Sequence, residues 1–213
     1  MRATSTLVRL PVAAVGCLAF VGLTMTPASA AGTPIAFDCQ ARPPIVPAQT
    51  FDLSAGVDAT APDSVPSGSD FAVTLTPAPL TVPGSVNGYA VKSIKDIRLR
   101  AVVPANATVT GERLSGGSGI GSGTPHVAIS GGDIVMTVPG PINGGSTFTL
   151  PVLTLDLVAG APGGAIDTRL AGTSYGDPGL SFTARVPILF FTADVPTSCY
   201  SSPNPVLSST TVT

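Results

Sequence analysis

The feature that most restricts this chain is a two-residue rhythm of apolar side chains that never lasts long. Phe51, Leu53, Ala55 and Val57 alternate with Thr50, Asp52, Ser54 and Gly56. Phe71, Val73 and Leu75 alternate with Ala72, Thr74 and Thr76, and Ile97, Leu99, Ala101 and Val103 with Asp96, Arg98 and Arg100. Alternation at this period puts one face in a core and the other in water, which is the pattern of a half-buried strand. Glycine or proline soon interrupts each run. The 24 Gly and 22 Pro of the 213 residues exceed a fifth of the chain, against about an eighth in average usage. Inside a helix each would cost about 1 to 3 kcal/mol, so a helical bundle or coiled coil is excluded. With 44% apolar residues the chain is also too hydrophobic for a disordered polymer.

Further strands are expected at Ile35–Cys39, Ala107–Leu114, His126–Ser130, Ile134–Val138, Thr147–Val158, Ile166–Thr173 and Ser181–Thr192. Ser130-Gly131-Gly132-Asp133 reads as a hairpin turn, because Gly-Gly supplies the positive φ that tight hairpins need. Pro151 and Pro187 fall inside apolar runs and predict a break, a bulge or an edge position, since proline cannot donate to a ladder. About ten short strands with turn signals between them indicate an antiparallel sandwich or barrel. Leu150–Leu157 and Val186–Phe191 are apolar at both parities. They read as central strands covered on both sides, or alternatively as the wall of an apolar groove. Gly116 to Gly123 reads as a flexible loop, and residues 201–213 as a flexible Ser/Thr/Pro tail.

Residues 1–30 have the layout of a cleaved signal peptide. Arg2 and Arg9 precede an apolar run from Leu10 to Met25, and Ala28-Ser29-Ala30 supplies the A-x-A site. The run is short for a spanning helix and contains Pro11. Lipidation at Cys17 is a minor alternative, because the apolar run continues past it. Residues 31–200 then form one domain. Eight basic and twelve acidic residues follow Ala30, a net charge of −4. That sign discourages binding to DNA, so no nucleic-acid partner is expected, and no second run is long enough to span a membrane.

Two cysteines remain in an exported chain, Cys39 and Cys199, and an even count predicts a disulfide between them. With one histidine and no CxxC, no metal site is expected, and nothing calls for a cofactor. His126 is the sole base available to a Ser–His–Asp site, and no G-x-S-x-G is present. A hydrolase built on His126 is therefore a distant alternative. Asp177 in Tyr175-Gly176-Asp177-Pro178-Gly179 could be imagined as a calcium ligand, but Asp-Pro-Gly is first a turn. Lys95 reads as a solvent-face strand residue rather than an isopeptide donor.

Phe37-Asp38-Cys39-Gln40, Val65-Pro66-Ser67-Gly68 and Val138-Pro139-Gly140-Pro141 resemble features of uncharacterised secreted proteins of actinobacteria. Those chains are rich in Ala, Gly and Pro, with one Cys soon after the signal and one near the end. The resemblance implies an antiparallel immunoglobulin-like β-sandwich of about 9–10 strands, exported to the cell envelope, and it transfers no active site. The expected function is a secreted or envelope protein without catalytic activity, with a binding or structural role toward an envelope protein, a glycan or a lipid. The alternative is a carrier of an apolar ligand, contacted by Phe148, Leu150, Leu153, Leu155, Phe190 and Phe191. A porin is less well matched, because strands of about ten residues with lipid-facing alternation are missing.

Overall fold

The computed structural model describes residues 32–188 and 190–213. The signal-peptide reading of residues 1–30 and the alternative at Cys17 fall outside the described residues. Described residues form strands and no helix. In chain order the strands are β1 (Thr33–Ala41), β2 (Gln49–Thr60), β3 (Ser64–Val65), β4 (Asp70–Pro77), β5 (Leu80–Thr81) and β6 (Ser85–Val86). Then follow β7 (Tyr89–Ala90), β8 (Ser93–Val102), β9 (Ala107–Ser115), β10 (His126–Ser130), β11 (Asp133–Val138) and β12 (Ile142–Asn143). The chain closes with β13 (Thr147–Phe148), β14 (Val152–Ala159), β15 (Ala165–Thr168), β16 (Leu180–Ile188), β17 (Phe191–Ser201) and β18 (Ser208–Val212).

The main sheet is antiparallel and runs β10-β11-β8-β16-β17-β1-β2-β4-β14-β9, with β12 attached to β8. Its two outer strands, β9 and β10, lie close together. The layers expected to face one another are thus the two halves of one sheet that curls almost into a barrel. Curling brings the apolar parity of every long strand to the inside. Ile35, Phe37 and Cys39 on β1, Leu153, Leu155 and Leu157 on β14, and Ile134, Met136 and Val138 on β11 are all buried. A small second sheet, β15-β18-β3, caps one end around Val65, Ile166 and Val212.

The disulfide joins Cys39 to Cys199, which are directly opposed on neighbouring strands β1 and β17. It closes a separation of 160 residues, for which chain-entropy reasoning assigns up to about 5 kcal/mol.

Three expectations need correction. The final segment is not a flexible tail. β18 pairs with β15 and with β3, and Thr210 and Val212 are almost fully buried. Its consecutive β-branched residues Thr210, Thr211 and Val212 suit a strand. The Gly116–Gly123 loop is held in place by a bridge between Ser118 and Thr149. Gly121 takes φ 82° so close to Gly140 that an added Cβ would lie 2.6 Å from the Gly140 carbonyl carbon. Of the two apolar runs, Leu150–Leu157 has buried residues at both parities, Leu150 and Thr154 on one and Leu153, Leu155 and Leu157 on the other. Val186–Phe191 is not one central strand, because β16 ends at Ile188 and β17 starts at Phe191.

Both flagged prolines sit where a donor is not needed. Pro151 separates β13 from β14. Pro187 lies beyond Arg185, the last residue of β16 that pairs with β8, so the missing N–H faces no strand. At Asp96, with φ 54°, β8 bulges and changes neighbour from β12 to β11.

Candidate functional site: an apolar cavity and its mouth

Inside the curled sheet an apolar cavity of about 210 Å³ runs between the two large core clusters. It follows all five inward residues of β16, namely Leu180, Phe182, Ala184, Val186 and Ile188. At a rise of about 3.4 Å per residue those positions span about 27 Å. The cavity therefore follows the length of β16. No charged side chain lines it, and the polar lining is confined to Gln49, Ser54, Thr81, Tyr89 and Thr197. Thr197 is buried, and its hydroxyl is turned onto the Val195 carbonyl at 3.4 Å.

The mouth arises from an interrupted ladder. β2 meets β4 only over Val57–Thr60. Upstream, its backbone has β1 on one flank, while among the described residues the other flank makes one backbone-to-backbone bond, from Ala78 N–H to the Gly56 carbonyl. Ser54 faces solvent and Gly56 has no side chain, yet both border the cavity, because the opening runs along their backbone. The β6–β7 hairpin arches across this gap. Its Asn87-Gly88 turn has φ 49° and 82°, both positive as a type I′ turn requires. From the tip, Asn87 Nδ2 donates to the Thr50 carbonyl at 3.2 Å. Val86 and Tyr89 of the hairpin, with Pro43 and Val46 of the β1–β2 connection, form the rim. Sequence reasoning missed this hairpin, although Asn-Gly between Ser85-Val86 and Tyr89-Ala90 is a strong local signal.

The six residues singled out as ligand contacts do not form one wall. Phe148, Leu150 and Leu153 line the cavity. Leu155 is fully buried in the neighbouring core cluster and does not border it. Phe190 and Phe191 lie outside, at the β16–β17 turn, with exposures of 101% and 48%. The turn reverses the chain there, so the inward parity of β16 ends at Ile188.

Charge is divided between the two ends. At the mouth end, Asp194 receives Lys95 at 2.8 Å and Arg185 at 3.4 Å. The Lys95 hydrogen bond holds the Asp194 carboxyl below the usual carboxylate range. Lys92 reaches Thr192 Oγ1 at 3.5 Å, and Arg42 follows β1 at the same end. At the other end, Arg100 Nη1 donates to Asp177 at 2.7 Å and to the Pro178 carbonyl at 2.9 Å, and its Nε donates to Asp133 at 2.9 Å. Asp177, then Asp133, raise the Arg100 pKa above its ordinary value. Asp177 therefore fixes the Tyr175–Gly179 turn to β8. Among the described residues no group of three His, Cys, Asp or Glu is placed to hold a metal ion. His126 opens the outer strand β10 opposite Thr137 and is exposed.

No protein-family model matches this chain, and no curated protein matches it. Among solved structures, it is similar to a "Putative membrane anchored protein" from Corynebacterium diphtheriae. The two are 17% identical with a TM-score of 0.55, over 85% of this chain and 37% of the other. This chain therefore spans little more than a third of that protein's length. At this identity the likeness shows a shared fold.

Proposed function

We propose that this chain is an exported cell-envelope protein without bond-making or bond-breaking activity, and that it holds the aliphatic chain of an apolar or amphiphilic ligand. The observation that carries this reading is the cavity: long, free of charged lining and open along one edge of β2. Ligand pockets are concave and mostly apolar with a few polar groups, and this one keeps its polar groups sparse. A flexible aliphatic chain suits a cavity whose apolar lining follows a whole strand. The fold shared with a membrane-anchored actinobacterial protein supports an envelope location.

The test is a titration of the mature protein with a fluorescent C18 polyene fatty acid, beside a fluorescent sterol. Fluorescence is expected to rise and saturate with the fatty acid and not with the sterol. Ala184→Phe, which fills the passage beside β16, is expected to weaken fatty-acid binding at least about tenfold. Overpacking of this kind costs about 1–3 kcal/mol, so cooperative unfolding is checked alongside. A fatty-acid signal absent from the wild type, or unchanged in a folded Ala184→Phe protein, would sink the reading.

A further inference from the structure

The mouth end of the molecule carries a surface that the cavity alone does not explain. Phe190 stands at the β16–β17 turn with its ring fully in water, and Phe191 beside it is half exposed. Ile45, 56% exposed, lies in the β1–β2 connection at the same end, and Tyr89 at the cavity rim is 37% exposed. These are four of the seven large apolar side chains exposed among the described residues, so exposure is concentrated here rather than scattered. Scattered exposed apolar residues are ordinary, whereas a concentration of them marks an interaction surface.

The charges around this end select the partner. Lys95 and Arg185 share the single carboxylate of Asp194. Among the described residues Lys92, hydrogen-bonded to Thr192 two residues beyond Phe190, meets no carboxylate, and neither does Arg42, whose Nε is bonded to Gln40. Arg42, Lys92, Lys95 and Arg185 outnumber Asp52, Asp96 and Asp194 here, in contrast with the net charge of −4 that follows Ala30. Aromatic rings projecting past a ring of long cationic side chains match the layering of a bilayer surface, with acyl boundary inside and anionic headgroups outside.

We propose that this end docks on an anionic lipid surface, with Phe190 and Phe191 entering the interface and Arg42 and Lys92 meeting headgroup phosphates. Docking sets the cavity mouth against the lipid, so that an acyl chain passes between bilayer and cavity without crossing water. Docking itself needs no ligand in the cavity, so its test stands apart from the fatty-acid titration.

The experiment is co-sedimentation of the mature protein with vesicles of phosphatidylcholine alone, or of phosphatidylcholine with 30% phosphatidylglycerol (about one anionic lipid in three, enough for a marked surface potential). The wild type is expected to bind the anionic vesicles, and less so in about 1 M salt, where the Debye length falls to about 3 Å. Phe190→Ser/Phe191→Ser is expected to lose at least about tenfold in vesicle affinity while unfolding remains cooperative with only a small fall in melting temperature, because the Phe190 ring is fully in water and the Phe191 ring half so. Arg42→Glu/Lys92→Glu is expected to lose binding to the anionic vesicles only. A wild type left in the supernatant, or a double Ser variant that sediments as well as the wild type, overturns the proposal. So does size exclusion showing a wild-type dimer that the double Ser variant abolishes, since the rings would then serve a second copy of this chain.

Discussion

The phenol of Tyr200 on β17 lies beside the carboxylate of Asp38, its register partner on β1, and meets Tyr175 edge-on at a centroid distance of 5.2 Å. The hydrogen bond to Asp38, and then burial, raises the phenol's pKa. A group whose pKa is higher folded than unfolded contributes fully below its unfolded value, about 10 for tyrosine, and loses that contribution as pH rises through the folded value. The wild type is therefore expected to lose melting temperature above about pH 10 more steeply than Tyr200→Phe. Parallel alkaline curves for the two proteins would show that the Asp38 bond does not distinguish the folded state. Asp194 carries the opposite sign. Its carboxyl is held low by Lys95, so its contribution is present above the ordinary carboxylate range and fades as pH falls through the lowered value.

Among the elements, β18 is where a local reading and the fold part company. Val212 is 1% exposed and packs with Val65 and Ile166 beneath the main sheet. Val212→Ala is expected to cost about 1–3 kcal/mol, from lost burial and the space left behind, measured as a shift in the denaturant midpoint. A change within about 0.5 kcal/mol, the usual range for surface positions, would mean that the strand is only loosely docked. Strands with large alternating side chains, such as those of β2, β4 and β11, were legible from sequence because Phe, Leu, Ile and Met declare which face is inward. β17 was missed for most of its length. Its inward residues are Ala193, Val195, Thr197, Cys199 and Ser201, too small and polar to show the period, and Pro196 interrupts it. The cavity follows from the same fact. Small residues such as Ala184 and Ala41 leave space that only the assembled sheet reveals, whereas the nearby bulky positions Phe148, Leu150 and Leu153 were recognisable as its wall.

For the whole molecule, the disulfide and the strand order act together. Cys39→Ser/Cys199→Ser is expected to lower stability by about 2–5 kcal/mol, the range for removing a native disulfide from a small exported domain, read as a lower denaturant midpoint under non-reducing conditions. A loss well under about 1 kcal/mol would mean that the β1–β17 ladder holds the first and last long strands together without covalent help. The sheet order has a further consequence for how the molecule comes into being. β1 is flanked by β2 and β17, and β8 by β11 and β16. Until residues 180–201 are available, the group β10-β11-β8 and the group β1-β2-β4-β14-β9 have no common strand, and the greasy lining lies open to water. Pairings so distant along the chain are slow to form, on a scale of milliseconds to seconds. During that interval the nascent edges can zip onto other copies, so yield on refolding is governed by crowding among unfinished chains rather than by the stability of the finished one.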